Sequence, residues 1–385
     1  MKAPTVANLA GLVLGFIRLD AAVTLTPEGY EVHPGDSIQD AVQLAAANPT
    51  NKVVRVHAGE YRPTAKQQAL VWFNRAHDGV RLEALGPVTL SAANPQLALP
   101  SDAGFPAVVN HVVYFGDGIS TNTVLKGFRL TGANSFLTKA KTRELEPDRT
   151  IPKNLFFYSD GGAIKVFGRS YPTLLDIEME DNFTSPCGAG ISIQHEGHKQ
   201  GAVVIENCRF INNRAQGTGS ALDLLPGSAA RLNNCLFVRN ISNMGDDPVA
   251  KASGERPFVN NGAVTTFWKS HAEFRNCTFT GNRNGVDDMG GASTYLNCIF
   301  ADNTLEGGLK GHARYELAVN AGAVVRGCVF TGKIIDVQQK VSATENLLSA
   351  PPPRFDANFV PAAPEYAKAG YRPVAAAKPA AGPQP

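Results

Sequence analysis

The stretch ENCRFINN, residues 206–213, decides the fold because its pattern recurs along the chain. It places a phenylalanine two positions after a cysteine, and an asparagine three positions after that phenylalanine. Close copies are NNCLFVRN, RNCTFTGN and LNCIFADN, and a shortened copy, GCVF, ends at Phe330. The copies stand at uneven intervals of 21 to 42 residues. A constant phrase at uneven intervals is typical of a solenoid, in which one supersecondary unit is repeated with insertions.

Each copy predicts a short β-strand, because its apolar positions alternate with polar ones. A second phrase precedes it in most units: GGAIKV from Gly161, GAGISI from Gly188, GSALDL from Gly219 and NGAVTT from Asn261. This phrase joins a turn glycine to another alternating strand. Two or three such strands in each unit of roughly 20 to 30 residues, with no helical period, predict an all-β fold. The specific prediction is a single-stranded right-handed parallel β-helix whose coils stack ~4.8 Å apart.

The repeated phrase predicts two ladders inside the solenoid, one of cysteines and one of phenylalanines. Their members are Cys208, Cys235, Cys277, Cys298 and Cys328, with Phe210, Phe237, Phe279, Phe300 and Phe330. Stacked inward cysteines usually serve as small buried hydrophobes, so we expect free thiols rather than disulfides. A metal site is disfavoured because no C-x-x-C pair occurs. The closing asparagines (Asn213, Asn240, Asn282 and Asn303) are expected at turns, where asparagine tolerates left-handed backbone.

A short amphipathic helix is predicted to close the N-terminal end of the solenoid. In GDSIQDAVQLAAANP, residues 35–49, Asp36 is the expected N-cap, with Gln39 three residues later. The apolar face of this helix consists of Ile38, Ala41, Val42 and Ala45. Such a helix protects an open sheet edge from pairing with other chains. The segment KVVRVHAGEY, residues 52–61, is predicted to be the first full strand.

Three regions are expected along the chain: 1–22, 23–345 and 346–385. The first resembles a secretory signal peptide, with a basic start, an apolar run and small residues. Arg18 and Asp20 interrupt its cleavage region, so an N-terminal strand is the alternative. The middle region is the β-helix. The last is a tail rich in proline and alanine, and the charged stretch 139–154 is expected to form a long loop beside a groove.

The overall composition excludes some classes of function. The chain has 36 basic and 34 acidic residues in 385, and it carries no basic run or basic stripe. Nucleic acid is therefore disfavoured as a partner. No apolar run reaches the roughly 18 residues that a membrane-spanning helix needs. We expect a soluble, monomeric body.

The opening of the repeat region carries a family resemblance. PGDSIQDAV followed by VVRVHAGEY resembles the start of the pectate-lyase-like right-handed β-helix proteins, which are secreted by bacteria. The GGAI and FxxN phrases are also similar to the repeats of the chlamydial polymorphic outer-membrane proteins. The resemblance covers residues 29–332 and concerns the fold. It implies a secreted or cell-surface protein.

The resemblance does not transfer a catalytic residue. Its enzymes include polysaccharide lyases and glycoside hydrolases, but the chain has no W-x-D-H or R-x-P-x-x-R motif. Of the polygalacturonase motifs, only a lone Asp287-Asp288 dipeptide is present. Function must therefore be argued from the residues of this chain.

Alignment of the second phrases by their glycines predicts one column of side chains outside the solenoid. It consists of Lys165, Ser192, Asp223 and Thr265, while Ile164, Ile191, Leu222 and Val264 point inward. Lys165 and Asp223 would stand roughly 10 Å apart on two coils, with space for a sugar unit between them. The alternative is that these residues are solvated positions on a flat sheet face.

A neighbouring set supplies possible contacts to a sugar ring. Gln194 and Phe267 occupy the next outward positions, and His195 and Trp268 follow them. An aromatic ring beside polar groups is suited to stacking against a pyranose. The alternative is that these aromatics pack under a loop.

Two reactions on polysaccharide remain open from these residues. A lyase needs a base such as Lys165 or His195, and a cation that neutralises the uronate. Calcium could be held by Asp223, Glu196 or Asp288. A hydrolase needs two carboxylates, for which Asp223 with Asp287 or Asp288 is the predicted pair.

The segment QHEGHK, residues 194–199, concentrates two histidines and a glutamate. Metal binding by His195 and His198 is conceivable in a turn, but the helix and spacing of H-E-x-x-H are absent. A polar loop is the favoured interpretation.

The sequence therefore predicts an exported β-helix protein that binds an acidic polysaccharide, with cleavage of that polymer as an open question. The predicted catalytic residues are Lys165, His195 and Asp223. Substrate contacts are assigned to Gln194, Phe267 and Trp268, and possible calcium ligands are Glu196, Asp287 and Asp288. The alternative is a non-catalytic adhesive solenoid on the cell surface. The two differ in whether charged residues cluster in one cleft or spread over the coils.

Overall fold

The structure is a computed structural model. It describes residues 23–64, 67–93, 107–134, 157, 159–184, 186–244, 262–288, 290, 292–305, 314–336 and 339–374. The predicted signal region and the predicted loop 139–154 lie outside these residues. Within them, no helix is long and apolar enough to cross a membrane.

One face of the solenoid is a sheet of nine parallel strands, one from each coil. In order along the stack these are β4 (Gln67–Phe73), β6 (Val109–Phe115), β8 (Ile164–Phe167), β12 (Ile191–Gln194), β16 (Leu222–Leu224), β19 (Val264–Thr266), β22 (Val286–Asp288), β25 (Leu317–Val319) and β28 (Ile334–Asp336). We call this the nine-stranded sheet. It contains the second phrase of each repeat.

The rest of each coil belongs to a 17-stranded sheet. Its first strands are β1 (Thr24–Thr26), β2 (Gly29–Val32), β3 (Val53–Tyr61), β5 (Arg81–Ser91) and β7 (Val124–Thr131). Later coils divide into two strands. The first row is β9 (Thr173–Leu175), β13 (Val203–Glu206), β17 (Ala229–Asn233), β20 (His271–Arg275), β23 (Thr294–Leu296) and β26 (Val324–Arg326). The second row is β10 (Glu178–Glu180), β14 (Arg209–Ile211), β18 (Leu236–Val238), β21 (Thr278–Thr280), β24 (Ile299–Ala301) and β27 (Val329–Phe330).

The strand pairing confirms the predicted all-β solenoid. Every pairing between the coils is parallel, and β1 with β2 forms an antiparallel hairpin at the N-terminal end. A further pair, β11 (Phe183–Thr184) with β15 (Arg214–Ala215), is also parallel. The described residues also form helix α1 (Ile38–Ala47) and 3₁₀ turns at Arg75–His77 and Pro364–Tyr366.

The repeated cysteine phrase forms the second row, and left-handed residues bend the chain on both sides of it. Asn207, immediately before Cys208, has φ 56°, and Asn212 has φ 52°. Asparagine adopts this conformation more readily than most residues. The expectation that the closing Asn213 is itself left-handed is wrong, because the bend falls one residue earlier. The side chain of Asn213 points into the coil instead.

The phenylalanine ladder is confirmed. The rings of Phe210, Phe237, Phe279, Phe300 and Phe330 stack with centroids 4.5, 4.6, 4.8 and 4.9 Å apart and nearly parallel planes. The five ladder cysteines are buried free thiols, as predicted. Burial raises the pKa of the Cys208, Cys277 and Cys328 thiols, so these three are neutral packing groups.

The closing asparagines, together with Asn182, form a third ladder, made of buried amides. Its members are Asn182, Asn213, Asn240, Asn282 and Asn303. Each amide nitrogen of the first four donates to the side-chain oxygen of the next member, at 2.8–3.1 Å. Each also donates to a carbonyl of the preceding coil, as Asn240 does to Phe210 O at 2.9 Å. The ladder therefore joins adjacent coils through fully buried hydrogen bonds.

Helix α1 covers the first coil as predicted, with Ile38, Ala41, Val42 and Ala45 buried. The predicted N-cap, Asp36, is wrong by one residue. Ser37 Oγ accepts the hydrogen bond from Asp40 N, whereas Asp36 accepts from His33 N. Gln39 exchanges two hydrogen bonds with the backbone of Trp72, at 2.8 and 3.1 Å. The helix thus pairs with the first strand of the nine-stranded sheet and protects its edge.

The segment 350–372 runs back along the outside of the second row of strands. Ala350, Tyr366 and Ala369 are buried in one apolar cluster with Ile299, Ala301 and Val329. Farther along, Arg372 N donates to Asn234 Oδ1, and Asn234 Nδ2 donates back to Arg372 O. The segment therefore covers apolar side chains that the outer face of this row would otherwise expose.

Candidate functional site

The predicted outward column exists and is in register. Ser192 pairs with Lys165 on one side and with Asp223 on the other, and Asp223 pairs with Thr265. The register extends the column by one coil, to Asp287. We call these five residues the polar column. The side chains at the neighbouring inward positions are in the core, as predicted.

The expectation that this column faces solvent is wrong. Lys165, Ser192 and Asp223 are fully buried. The cause is the glycine four residues earlier in each strand phrase, such as Gly161 with φ 79°, which turns the chain back over the strand. A Cβ at Gly161 would lie 3.0 Å from Lys165 Cα. The residues preceding these glycines (Asp160, Cys187 and Thr218) therefore occupy the positions above Lys165, Ser192 and Asp223.

Lys165 is held by acceptors on every side. Its Nζ donates to Asp160 Oδ1 at 2.5 Å, to Gln194 Oε1 at 2.7 Å and to Ser192 Oγ at 3.4 Å. The Ser192 hydroxyl donates to the other oxygen of Asp160 at 2.7 Å. A lysine that is ion-paired and enclosed in this way has no free lone pair and no path to solvent. The arrangement does not suit the general base of an elimination reaction.

Asp223 occupies a different environment. Burial raises the pKa of its carboxyl group to about 7, although the nearby Cys187 and Thr218 side chains act in the opposite direction. Both groups lie beside the carboxylate, but neither makes a hydrogen bond of good geometry with its oxygens. An ionised carboxylate without such partners is costly in the interior.

His195 is a structural residue in this fold. It is buried, its Nδ1 accepts from Ala229 N at 3.2 Å, and its Nε2 donates to Ser170 O at 2.9 Å. Burial lowers the pKa of the imidazole to about 4. Both ring nitrogens are used to join coils, so the predicted role of His195 as a base is not supported by its geometry. His198 lies in the exposed turn that follows.

The predicted substrate contacts separate into buried and exposed residues. Gln194 and Phe267 are buried, and the Gln194 amide donates to Glu196. Trp268 is 52 % exposed, and its ring meets Phe267 edge-on at a centroid distance of 5.5 Å. Of this set, only Trp268 can meet a polymer in solution.

The predicted calcium ligands do not come together. Glu196 follows β12, and Asp287 lies on β22, three strands farther along, which corresponds to roughly 14 Å. Asp288 points into the coil interior, where Thr266 donates to it at 2.8 Å. Among the residues that the structure places, no group of three or more His, Cys, Asp or Glu side chains could hold a metal ion.

Asp287 is the most accessible acid of the polar column. Its side chain is partly exposed. Partial burial raises the pKa of its carboxyl group to about 7, although a hydrogen bond with Tyr315 acts in the opposite direction. Two strand spacings separate it from Asp223. The column therefore holds two carboxyl groups roughly 10 Å apart.

The turns that follow the strands of the nine-stranded sheet carry cationic groups that the sequence analysis missed. Arg75 and Arg169 follow β4 and β8, and both contact the carboxylate of Asp117 at 2.7–2.8 Å. Burial disfavours that charge, but hydrogen bonds from the two arginines hold the pKa of Asp117 below its usual range. One anion is shared by two guanidinium groups, whose side chains are 69 % and 40 % exposed. The corner keeps a net positive charge.

The same corner continues on later coils with Lys199, Trp268 and Lys269, all exposed. Gly227 lies between them: a Cβ there would lie 3.9 Å from Lys199 Cε. Gly290 lies beside Trp268 on the next coil, where an added Cβ would lie 3.6 Å from Trp268 Cβ. Small residues on both sides leave the indole prominent. We call Arg75, Arg169, Lys199, Trp268 and Lys269 the turn ridge; Glu196 is an exposed acid beside it.

Comparison with known proteins identifies the architecture. A family model described as right handed beta helix region matches residues 119–261. The chain is a right-handed parallel β-helix protein. No curated protein and no solved structure matches it. Its β-helix coils extend on both sides of the matched segment, from β2 to β28.

Proposed function

We propose that this β-helix protein is exported and binds an acidic polysaccharide along the turn ridge. The observation that carries the proposal is the position of exposed cations and one exposed tryptophan at the same corner of four coils, those of β4, β8, β12 and β19. Clustered cations attract a polyanion, and an indole face stacks against the apolar face of a pyranose ring. The resemblance of the segments PGDSIQDAV and VVRVHAGEY to secreted pectate-lyase-like proteins led us to expect such a partner.

The spacing of the ridge favours an extended polymer over a small ligand. Arg75 and Lys269 lie on coils five strand spacings apart, which corresponds to roughly 24 Å. A pyranose unit in an extended chain advances by a distance similar to one coil. A uronate chain lying parallel to the solenoid axis can therefore present a carboxylate near each cation in turn.

Binding is better supported than cleavage by elimination. The predicted base Lys165 is buried and ion-paired, and His195 uses both ring nitrogens within the fold. The turn ridge, by contrast, is exposed. This reasoning favours polysaccharide binding without cleavage by elimination.

A variant series tests the binding proposal. Trp268→Ala is expected to weaken binding to polygalacturonate about tenfold, or ~1.4 kcal/mol, because it removes the stacking surface. Lys199→Ala and Lys269→Ala should each weaken binding at low salt and reduce its salt dependence. Affinity electrophoresis or calorimetry measures all three. The control is Lys126→Ala, an exposed lysine on the 17-stranded sheet.

The controls also define the result that contradicts the proposal. Dextran, which carries no charge, should not compete for the ridge. Equal affinities of the wild type, Trp268→Ala and Lys126→Ala for polygalacturonate would remove the turn ridge as the binding surface. Loss of binding in Lys126→Ala alone would place that surface on the other sheet.

A second candidate function is hydrolysis, for which Asp223 and Asp287 are the pair of carboxyl groups in register. It requires the turn at Gly219 to open, because Asp223 is fully buried beneath that turn. Inverting hydrolases place two carboxyl groups about 6.5–9.5 Å apart, slightly closer than the roughly 10 Å of this pair, and one of them is an acid with a raised pKa. If this function is correct, the wild type releases reducing ends from an acidic polysaccharide, and Asp287→Asn does not. A reducing-sugar assay without any release from the wild type, under conditions where the polymer binds, would exclude it.

A further inference from the structure

The ion pair between Asp160 and Lys165 is unusual because nothing exposes it to water. Both side chains are fully buried, and Nζ lies 2.5 Å from Oδ1. Burying two charges costs several kcal/mol per ion before their attraction is counted. Residues five positions apart in an extended chain are normally too far from each other to make contact. The turn at Gly161 folds Asp160 back onto the strand that carries Lys165 and so brings the two side chains together.

We propose that Asp160 and Lys165 form an intramolecular isopeptide bond, an amide between Cγ of Asp160 and Nζ of Lys165. The bond is a self-made modification of the fold and does not depend on the proposed polysaccharide binding. It ties the turn before β8 to the strand itself.

The reaction balances with the atoms already present. The Lys165 ammonium gives one proton to Oδ1 of Asp160, which leaves a neutral amine beside a carboxylic acid. The amine lone pair attacks Cγ, and the new N–C bond forms. The nitrogen then gives a second proton to Oδ1, the C–Oδ1 bond breaks, and Oδ1 departs as water. One amide and one water are produced, and no oxidant or reductant is required.

The surroundings favour this condensation in two ways. A neutral amide avoids the desolvation of two charges, so its formation is more favourable here than in water. The Ser192 hydroxyl donates to Oδ2 at 2.7 Å, which stabilises the negative charge that this oxygen carries in the tetrahedral intermediate.

The polar groups of the product already have hydrogen-bond partners nearby, although Nζ and Cγ must approach each other to bond length. Oδ2 becomes the amide oxygen, and it already accepts from Ser192. The single hydrogen left on the nitrogen has Gln194 Oε1 as its acceptor, at 2.7 Å from Nζ. The two groups around the ion pair thus satisfy the donor and the acceptor that an amide presents.

The repeat supplies an internal comparison. Cys187 with Ser192 and Thr218 with Asp223 occupy the same two positions in the next two coils. Neither combination contains an amine. The proposal therefore predicts a single cross-link, in the coil that contains β8.

Mass spectrometry of the full-length protein tests the proposal. The wild type is expected to have a mass one water below that calculated from its sequence. After denaturation, trypsin should fail to cut behind Lys165, and the peptide that continues to Arg169 should carry the deficit. Lys165→Arg keeps a positive charge but cannot form the bond, so its mass should equal the calculated value.

A competing reaction makes the control informative. Asp160 precedes Gly161, and an Asp-Gly pair can also lose one water by forming a cyclic imide with its own backbone. That product leaves Lys165 open to trypsin, reacts with hydroxylamine and persists in Lys165→Arg. The proposal is overturned if the wild type shows this cyclic-imide pattern. It is also overturned if the wild type has its full calculated mass and trypsin cuts behind Lys165.

Discussion

Asp223→Asn is expected to raise the free energy of unfolding by about 4 kcal/mol at pH 8 and to leave it nearly unchanged at pH 4. The carboxyl group has a pKa of about 7 in the fold, because burial disfavours its charge. In the unfolded chain the pKa is about 3.9. Below that value the group is neutral in both states and contributes no difference. Asparagine has nearly the same shape and no charge to bury.

The sign of the pH dependence follows from proton binding. Between about pH 4 and pH 7 the folded state holds a proton on Asp223 that the unfolded state has lost, so stability falls as the pH rises. Above pH 7 the whole penalty is present. Urea denaturation of the wild type and the variant at several pH values measures this difference in the free energy of unfolding. The control is Asp302→Asn, a substitution of an exposed aspartate. Its free energy of unfolding should equal that of the wild type at every pH.

Two curves that remain parallel from pH 4 to pH 8 would contradict this account of Asp223. The same result would weaken the hydrolase candidate, because that function needs a carboxylic acid that stays protonated near neutral pH. A stability difference that grows with pH would support the buried, partly protonated carboxyl group.

The coil architecture was predictable because two different phrases, the cysteine phrase and the glycine phrase, recur along the chain. The alternation around Cys208 and Phe210 identifies an inward strand, and the glycine phrases align Lys165, Ser192 and Asp223 correctly on neighbouring strands. Both signals are local and have the period of a β-strand. In the N-terminal helix the apolar face was correct, and the error of one residue at the N-cap arose because Asp36 and Ser37 are both good capping residues.

The accessibility of the site was not predictable in the same way. Period two shows which side chains leave the core, but it does not show that Gly161 turns the chain back to cover them. The turn ridge could not be predicted from the sequence for another reason. Arg75, Arg169 and Trp268 belong to turns without a common phrase, and only the stacking of coils brings them to one corner. Such a surface depends on long-range register, which a linear pattern does not display.

Asn240→Ala is expected to destabilise the protein by about 4 kcal/mol, because each buried group left without a partner costs about 1–3 kcal/mol. The Asn240 side chain accepts from Asn213 N and Nδ2, and donates to Phe210 O and Asn282 Oδ1. Alanine leaves all four partners without these bonds in the interior. It also interrupts the amide ladder at its middle member, so coils on both sides lose a connection.

The consequence of that interruption can be separated from a general effect of asparagine substitution. Asn122→Ala changes an exposed asparagine in a turn and should alter stability by less than about 0.5 kcal/mol, the usual range for surface positions. Asn240→Ser should recover part of the loss, since a hydroxyl can still accept from one neighbour. Denaturant unfolding of the three variants measures their free energies of unfolding, which should rise from Asn240→Ala through Asn240→Ser to Asn122→Ala. If Asn240→Ala were as stable as Asn122→Ala, the ladder would contribute little, and the stacked phenylalanines would have to hold the coils together.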